Sequence, residues 1–228
     1  MKYPIDELAK FIHHEKKEEN YLEPLELYFS LVMMYQSALD EVETKLRIID
    51  RELSQNTQVG RKKAIHQIQT RIKKAASLIE KLERKGIDFS PELVHEHIND
   101  IAGIRVVCPY TDDIYMILKT LEKQTDVTVV KVKDYITTPK PSGYRSLHAI
   151  VEIPVFFLQE TKYLKVELQF RTIAMDFWAS LEHSLRYKND GSAEDFAISQ
   201  RLEVMAEKIS DMESEMLLIR QEIERMNQ

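Results

Sequence analysis

The stretch LKVELQFR, residues 164–171, alternates apolar and polar side chains at every step. Successive side chains of a β-strand point to opposite faces of its sheet, so this alternation predicts a strand. The apolar face carries Leu164, Val166, Leu168 and Phe170, and the polar face carries Lys165, Glu167, Gln169 and Arg171. We expect the first face to pack on the core and the second to line a polar surface.

Helices and strands on both sides of this stretch predict an α+β domain. Further strands are predicted at Ile104–Cys108, Val127–Tyr135 and Ser146–Ile153. Predicted helices cover Lys62–Lys85, Pro91–Asp100, Asp112–Glu122 and Ala174–Leu185. The first of these helices stops at Gly86, a residue that suits a helix end. We therefore expect a mixed, mainly antiparallel sheet flanked by helices.

Long N- and C-terminal helices are predicted outside this domain. Apolar residues alternate at spacings of three and four from Leu25 to Leu53 and again from Ile198 to Met226. Such narrow apolar seams need a partner helix, either within the chain or in another copy of it. We favour a homo-oligomer formed through the terminal helices, for which a tetramer is one arrangement. The predicted division is an N-terminal helical region at 1–60, a central domain at 61–192 and a C-terminal heptad helix at 193–228.

Composition narrows the class of protein further. The 228 residues are 43% hydrophobic and 31% charged, as in folded globular proteins. The formal net charge of −6 argues against DNA as a partner, because phosphate backbones attract basic surfaces. The one cysteine, Cys108, excludes an internal disulfide framework and fits a reducing compartment. Because the sequence shows neither a secretory signal nor an apolar run long enough to span a bilayer, we expect a cytoplasmic protein outside the membrane.

Basic side chains line one side of the predicted helix Lys62–Lys85. Lys73, Ser77, Lys81 and Arg84 fall on the face opposite the apolar one. Like charges one helical turn apart repel each other, and no glutamate dilutes this row. The face, with Arg71 beside it, predicts a polyphosphate-binding surface. A plain solvated basic face is the alternative.

The segment KVKDYITTPKPSGYRSLH, residues 131–148, surrounds a predicted turn with basic residues. Its cations are Lys131, Lys133, Lys140 and Arg145. Tyr144 follows Gly143 directly, and a tyrosine between cations can stack on a nucleobase whose phosphates the cations hold. A tyrosine packed in the core is the alternative at this position.

One polar sheet face is predicted to gather the charged residues that these strands carry. Its expected members are Asp100, Arg105, His148, Glu167, Gln169 and Arg171. Two carboxylates among cations suit Mg²⁺ bound to a polyphosphate, because Mg²⁺ prefers oxygen ligands and completes its shell with phosphate and water.

Taken together, these motifs resemble those of the small alarmone synthetases. These are single-domain (p)ppGpp synthetases related to the synthetase domain of the long Rel/Spo enzymes. The resemblance rests on DIAGIR at residues 100–105, SGYRS at 142–146 with His148, VELQFRT at 166–172, AMDFWA at 174–179 and EHS at 182–184. It covers about Arg71 to Lys188 in consistent order. The flanking helices look most like those of the RelP-type branch.

The resemblance implies a nucleotidyltransferase-like α+β fold that uses one Mg²⁺. The implied reaction moves the β,γ-pyrophosphate of ATP to the ribose 3′-hydroxyl of GDP or GTP and yields ppGpp or pppGpp plus AMP. This is GTP diphosphokinase activity, which makes the alarmones of the stringent response. Residues 61–192 would then be the catalytic domain. The hydrolase domain of the long enzymes is not expected in this chain.

The resemblance also implies roles for individual side chains. Asp100 and Glu167 would be catalytic and would bind the metal, and Glu167 would activate the 3′-hydroxyl. ATP and its phosphates would contact Arg71, Lys73, Ser77, Lys81, Arg105 and Lys133. The guanine nucleotide would stack on Tyr144 and contact Lys140, His148, Gln169 and Arg171. Some relatives carry asparagine where this chain has Asp176, so the role of Asp176 is left open.

Two other functions fit parts of the sequence. A catalytically inactive regulatory module of the same fold, binding nucleotides or RNA, would use the basic residues. Such a module gains nothing from Asp100 and Glu167 beside phosphates, so the carboxylates favour an enzyme. A scaffold built on the two terminal helices leaves the polar sheet face unexplained.

Overall fold

The computed structural model describes residues 22–55, 63–88, 90–186 and 193–226. The predicted domain boundaries after residues 60 and 192 fall within, or at the end of, stretches outside these ranges, so the division into three regions stays a prediction. No helix within the described ranges combines the length and the apolar composition that a bilayer crossing requires.

A five-stranded mixed sheet forms the centre of the protein. Its strands are β1 (Gln67–Ile72), β2 (Ala102–Cys108), β3 (Thr128–Asp134), β4 (Leu147–Phe156) and β5 (Thr161–Thr172). They lie in the order β1-β2-β5-β4-β3. Only β2 and β5 run parallel, and the other neighbouring pairs are antiparallel. The predicted α+β fold with a mixed, mainly antiparallel sheet is confirmed.

Six helices surround the sheet in the described part of the chain. They are α1 (Leu22–Gln55), α2 (Ala75–Lys85), α3 (Pro91–His97), α4 (Thr111–Glu122), α5 (Ile173–Arg186) and α6 (Ala193–Met226). Local sequence explains several of their ends. Gly86 closes α2 in a left-handed conformation with φ of 66°, and the Ser90 side chain caps the start of α3 by accepting from the backbone N–H of Leu93.

The prediction of a helix over Lys62–Lys85 is wrong in its first half. Residues Gln67–Ile72 form the edge strand β1, and α2 begins only at Ala75. Ile68 and Ile72 are four residues apart, a spacing that places them on one face of a helix and equally on one face of a strand. Antiparallel hydrogen bonding with β2 stabilises the strand at these residues. The predicted helix at Pro91–Asp100 also ends early, at His97.

Helix α1 packs its apolar seam on the sheet of its own chain. Tyr35, Leu39, Val42 and Leu46 are buried there, in one cluster with apolar residues of the strands and of α4. The prediction that this seam packs on the other terminal helix or on another copy is wrong for the N-terminal helix, because the apolar sheet face and α4 cover it. The heptad-like spacing reports only that a single helix face is apolar, and a sheet can cover such a face as well as a helix.

Helix α6 lies against the domain along part of its apolar seam. Ala206 is buried, and Leu202 and Ile209 are partly buried beside Trp178 of α5. The same helix leaves Met212 at 68% exposure and Met226 at 77%. The chain therefore covers one section of this seam and leaves much of the remainder open, so the expected oligomer stays a prediction for α6.

Removing the Leu39 side chain should strongly destabilise the fold. Leu39 is fully buried between α1 and the sheet, so Leu39→Ala leaves a cavity and should lower the free energy of unfolding by roughly 2–5 kcal/mol. Equilibrium denaturation in urea measures this change. Met33→Ala on the exposed side of the same helix, where Met33 is 58% exposed, is the control and should have little effect. Equal losses in the two variants would contradict the packing of α1 described here.

Candidate active site

The strand register brings polar side chains into two rows across one sheet face. One row joins Arg71, Gly103 and Glu167 on β1, β2 and β5. The next row, two residues along each strand, joins Gln69, Arg105, Gln169, His148 and Lys133 from β1 to β3. Side chains two residues apart share a face, so both rows lie on the side opposite the apolar core. The structure thus brings together the sheet residues named from the sequence.

Asp100 lies just before β2 and is held by two lysines. Its carboxylate oxygens accept hydrogen bonds from Lys73 Nζ at 3.1 Å and from Lys81 Nζ at 2.7 Å. Lys73 comes from the link between β1 and α2, whereas Lys81 comes from the second turn of α2. Burial raises the pKa of Asp100, but the hydrogen bonds from Lys81 and Lys73 outweigh it and leave the pKa below its usual value. Asp100 is therefore ionised at neutral pH.

Glu167 lies at the centre of the first row and is also ionised. Gln169 Nε2 donates to its Oε2 at 2.9 Å, and His148 Nδ1 lies 3.5 Å from its Oε1. Burial raises the pKa of Glu167, and the bonds from His148 and Gln169 more than offset this, so its pKa is lowered overall. The charge of Asp100 acts on the pKa of Glu167 in the upward direction, which means that the two carboxylates lie within electrostatic reach of each other.

The donor set at these carboxylates fits a hard divalent cation that a substrate helps to bind. In the described part of the chain, no group of three or more His, Cys, Asp or Glu side chains is placed to hold a metal by itself. Asp100 and Glu167 supply oxygen ligands, and the ammonium groups of Lys73 and Lys81 now contribute positive charge at Asp100. A cation here would therefore take its other ligands from phosphates and water, as Mg²⁺ commonly does.

Tyr144 lies at the other end of the polar face, within a cluster of aromatic and basic side chains. Arg171 donates to the Tyr144 hydroxyl at 3.0 Å, and that hydroxyl lies 3.0 Å from His148 Nε2. Because the hydroxyl accepts from Arg171, its own hydrogen is free to donate to Nε2, which leaves Nδ1 protonated toward Glu167. Lys140 Nζ lies 4.9 Å from the ring centroid. A continuous polar chain thus connects Tyr144 with Glu167 through His148.

Asp176, whose role the sequence left open, balances the charge of two arginines. Its Oδ1 accepts from Arg171 at 2.8 Å and lies 3.4 Å from Arg105. Arg171 is almost fully buried, so a carboxylate partner offsets the cost of burying its charge. Asp176 therefore holds Arg171 in the orientation that reaches Tyr144.

The remaining predicted residues occupy the border of this face. Arg71 is exposed, and it passes over Gly103, where an added Cβ would come within 3.3 Å of Arg71 Nε. Ser77 is exposed on α2, one helical turn before Lys81, and Lys133 is exposed on the edge strand β3. Sequence reasoning missed Tyr135, whose ring lies 5.5 Å from that of His148 and 4.8 Å from Lys140 Nζ. Tyr135 lies in the same basic segment as Tyr144, and this shared position could have indicated that it belongs to the site.

A mixed sheet with two ionised carboxylates on a cation-lined face defines a phosphate-binding α+β domain. Residues 70–192 match the family model described as a region found in RelA / SpoT proteins. This chain belongs to that family.

Individual relatives are similar over most of their length. GTP pyrophosphokinase YwaC of Bacillus subtilis is 42% identical, over 85% of this chain and 90% of its own. GTP pyrophosphokinase YjbM of the same organism is 37% identical, over 83% and 87%. The predicted resemblance to alarmone synthetases is confirmed, whereas the RelP-type branch stays a prediction.

Solved structures agree with the sequence relatives. The B. subtilis small alarmone synthetase 2 superposes with a TM-score of 0.74 at 41% identity and covers 86% of this chain and 98% of its own. The B. subtilis small alarmone synthetase 1 bound to its product pppGpp gives a TM-score of 0.71 at 37% identity, covering 82% and 93%.

Proposed function

We propose that this protein is a GTP pyrophosphokinase that synthesises (p)ppGpp. It transfers the β,γ-pyrophosphate of ATP to the ribose 3′-hydroxyl of GDP or GTP and releases AMP. The observation that carries this function is the pair of ionised carboxylates, Asp100 and Glu167, on a sheet face with lysines at one end and Tyr144 at the other. The relatives named above, GTP pyrophosphokinases that span most of this chain, support the same reaction.

The proposed ATP side is the end of the face next to α2. Arg71, Lys73, Ser77, Lys81, Arg105 and Lys133 are the proposed contacts for ATP and its phosphates. Lys133 is the one member of this set away from α2, since it lies on the opposite edge strand β3 in register with His148. Pyrophosphoryl transfer needs positioning and charge neutralisation more than covalent steps, and a group of lysines and arginines supplies both. Lys73 and Lys81 form ion pairs with Asp100 in the free protein. We expect both side chains to turn toward the phosphates when ATP binds.

The proposed acceptor side is the end next to Tyr144. The guanine base stacks on the Tyr144 ring, and Lys140, His148, Gln169 and Arg171 contact the nucleotide around it. Aromatic stacking on a base contributes about 1–3 kcal/mol of binding free energy. Because His148 contacts both the Tyr144 hydroxyl and Glu167, we expect the ribose of a nucleotide stacked on Tyr144 to lie near the Glu167 carboxylate.

Glu167 is the proposed general base for the 3′-hydroxyl. Its carboxylate is ionised in the free protein, so it can accept the hydroxyl proton as the new phosphate ester forms. Enzymes of this family use a divalent metal ion, and we propose Mg²⁺ bound by Asp100 and Glu167. When bound, the cation neutralises charge on the transferred phosphoryl oxygens.

An inactive regulatory module that binds nucleotides or RNA is the competing function. It predicts binding without turnover. Two ionised carboxylates beside a phosphate site weaken anion binding unless a cation is shared between them, so a pure binding module would be weakened by Asp100 and Glu167.

A product assay separates the two functions. The purified chain is incubated with ATP, Mg²⁺ and either GDP or GTP, and the products are separated by anion-exchange chromatography. We expect ppGpp or pppGpp together with an equal amount of AMP, and neither product when Mg²⁺ or the acceptor is omitted. Tight nucleotide binding with no alarmone from either acceptor would establish the inactive module instead.

Replacing Tyr144 by alanine should weaken the acceptor selectively. The variant removes the proposed stacking surface, so the KM for GDP or GTP should rise about 5- to 150-fold, the range that a loss of about 1–3 kcal/mol implies. The KM for ATP should stay within about twofold, because ATP is proposed to bind at the α2 end of the face. Steady-state kinetics with each substrate varied in turn measures both values. Tyr163→Ala, at an exposed tyrosine near the β4–β5 turn, is the control. An unchanged acceptor KM would rule out stacking on Tyr144.

We further propose that the protein works in the cytoplasm as a homo-oligomer, without DNA as a partner. The exposed methionines of α6 support an interface on that helix. The proposed regions remain 1–60, 61–192 and 193–228, with the synthetase activity in the central one. Sedimentation of the full chain and of a variant with Met212 and Met216 changed to glutamine tests the interface, and equal masses would exclude these two residues from it.

A further inference from the structure

Helix α6 makes close contact with the turn that carries Tyr144. The turn is closed by a backbone hydrogen bond from Gly143 N–H to the Lys140 carbonyl at 2.8 Å, and Gly143 has a φ of 83°. A Cβ built on Gly143 would lie 2.7 Å from the Ala206 Cβ and 3.3 Å from the Glu203 Cα of α6. Such distances are below ordinary van der Waals contact, so the turn and the helix fit together only because Gly143 has no side chain and Ala206 a small one.

Further contacts hold α6 in this place. The Trp178 indole N–H of α5 donates to the Leu202 carbonyl at 3.1 Å, and the Thr172 hydroxyl at the end of β5 bonds to Glu213. Toward the C-terminal end, Arg220 pairs with Asp112 and lies 4.4 Å from the ring centroid of Tyr110. The helix is therefore fastened on both sides of the Gly143 contact, and it cannot move away from the turn without breaking these bonds.

The same helix also contacts the tyrosine proposed to stack on guanine. Tyr144 packs against the small cluster formed by Trp178 and Ala179 of α5 and Ala206 of α6, as Leu202 and Ile209 also do. Tyr144 is therefore held by a cluster to which α6 contributes Ala206, and its hydroxyl is held by Arg171 and His148. The position of the ring depends on both.

We propose that α6 is a positioning element for the guanine nucleotide, and that Ala206 is the positioning residue through which it holds the Tyr144 turn. This inference rests on the proposed function, because it assigns the turn to the acceptor. It gives the C-terminal helix a role within each chain that is independent of any contact between copies. Enlarging residue 206 pushes the turn out of place, while the Asp100 end of the face is left as it is.

A graded series at residue 206 tests the proposal. Ala206→Ser, Ala206→Val and Ala206→Leu add increasing volume at a contact with no spare room, where overpacking forces the neighbouring backbone to shift. The acceptor KM should rise with volume, by about tenfold for Ala206→Leu, with the KM for ATP and kcat within about twofold. Ala197→Leu is the matched control, since it makes the same change at an exposed position of the same helix and should leave all three values unchanged.

The single tryptophan gives an independent readout of helix position. Trp178 is the chain's one tryptophan and is buried against α6, so displacement of the helix should shift its fluorescence emission to longer wavelength. Circular dichroism checks that each variant is folded. If Ala206→Leu does not fold, the serine and valine variants carry the test.

The outcomes separate the inference from the function on which it rests. An acceptor KM that does not change along the series, or KM values for ATP and acceptor that rise together, would overturn the positioning role. If the unmodified chain makes no alarmone, the proposed function fails, and GDP affinity measured by calorimetry on the same series still decides the inference. A GDP affinity that falls with the volume of residue 206 supports it, and a constant affinity overturns it.

Discussion

Replacing Glu167 by glutamine should leave both nucleotides bound and should slow product formation by about 10²- to 10⁴-fold, the usual contribution of a general base. Glutamine has the shape of glutamate, and it can still accept from Gln169, which donates to Glu167 Oε2. It cannot take a proton from the 3′-hydroxyl, and it offers a cation a neutral oxygen in place of a charged one. The loss therefore falls on kcat. Single-turnover experiments at saturating ATP and GDP measure this rate, and calorimetry measures the affinities.

The control for this variant removes one negative charge from a different part of the chain. Glu160→Gln lies in the turn between β4 and β5, where the side chain is exposed and pairs only with Lys162 in the described contacts. It should have nearly unmodified activity. Turnover by Glu167→Gln close to that of the unmodified protein would remove Glu167 as the base.

Replacing Asp100 by asparagine should abolish most activity by a different route. The variant removes one of the two proposed acidic ligands, so turnover should fall by about 10³-fold and the Mg²⁺ concentration for half-maximal rate should rise. Lys73 and Lys81 would lose the carboxylate that both now contact, which leaves two ammonium groups with less compensation. We therefore expect ATP measured without Mg²⁺ to bind as well as before, or several times more tightly, because its phosphates meet freer cations.

Two measurements decide this second prediction. Initial rates over a range of Mg²⁺ concentrations give the metal requirement, and calorimetry with ATP and EDTA gives metal-free affinity. Asp88→Asn, an exposed position after α2, removes the same charge and is the control. An unchanged Mg²⁺ requirement in Asp100→Asn would show that Asp100 does not hold the cation. A large loss of metal-free ATP affinity would contradict the role assigned to the two lysines.

These two variants address one property of the free site. Its carboxylates each have a partner in the free protein, because Lys73 and Lys81 pair with Asp100 and the His148 ring lies against Glu167. Pairing keeps the half-buried charges from facing one another uncompensated, and it lowers the pKa of both carboxylates. In the proposed mechanism, ATP bound with a cation would exchange these partners, because the phosphates would take the ammonium groups and the cation would take the carboxylates. The site is thus charged before substrates arrive, and little ionisation has to accompany binding.

The spacing of apolar residues predicted the structure correctly where it fits only one type of element. It failed where it fits a helix and a strand equally well. The strict alternation at residues 164–171 holds for strands alone, and β5 lies there. Ile68 and Ile72 fit a helix and a strand equally, and the predicted helix at that place was wrong because strand pairing with β2 outweighs local preference. The apolar seam of α1 was read correctly as a single buried face but was given the wrong partner, since spacing does not say what covers a face.

The sequence by itself determined the α+β class, the polar and apolar faces of β5, the family, and the residue types of a phosphate site, because alternation, turn residues and motif order are local properties of the chain. Only the tertiary structure decided that Lys73 and Lys81 converge on Asp100, that Asp176 balances Arg171, and that Ala206 meets Gly143. Residues 143 and 206 are far apart in sequence, and their contact depends on how α6 packs across α5. The spacing of residues along the chain does not predict such packing. The packing depends on the shapes of surfaces that exist only after the sheet and helices have assembled.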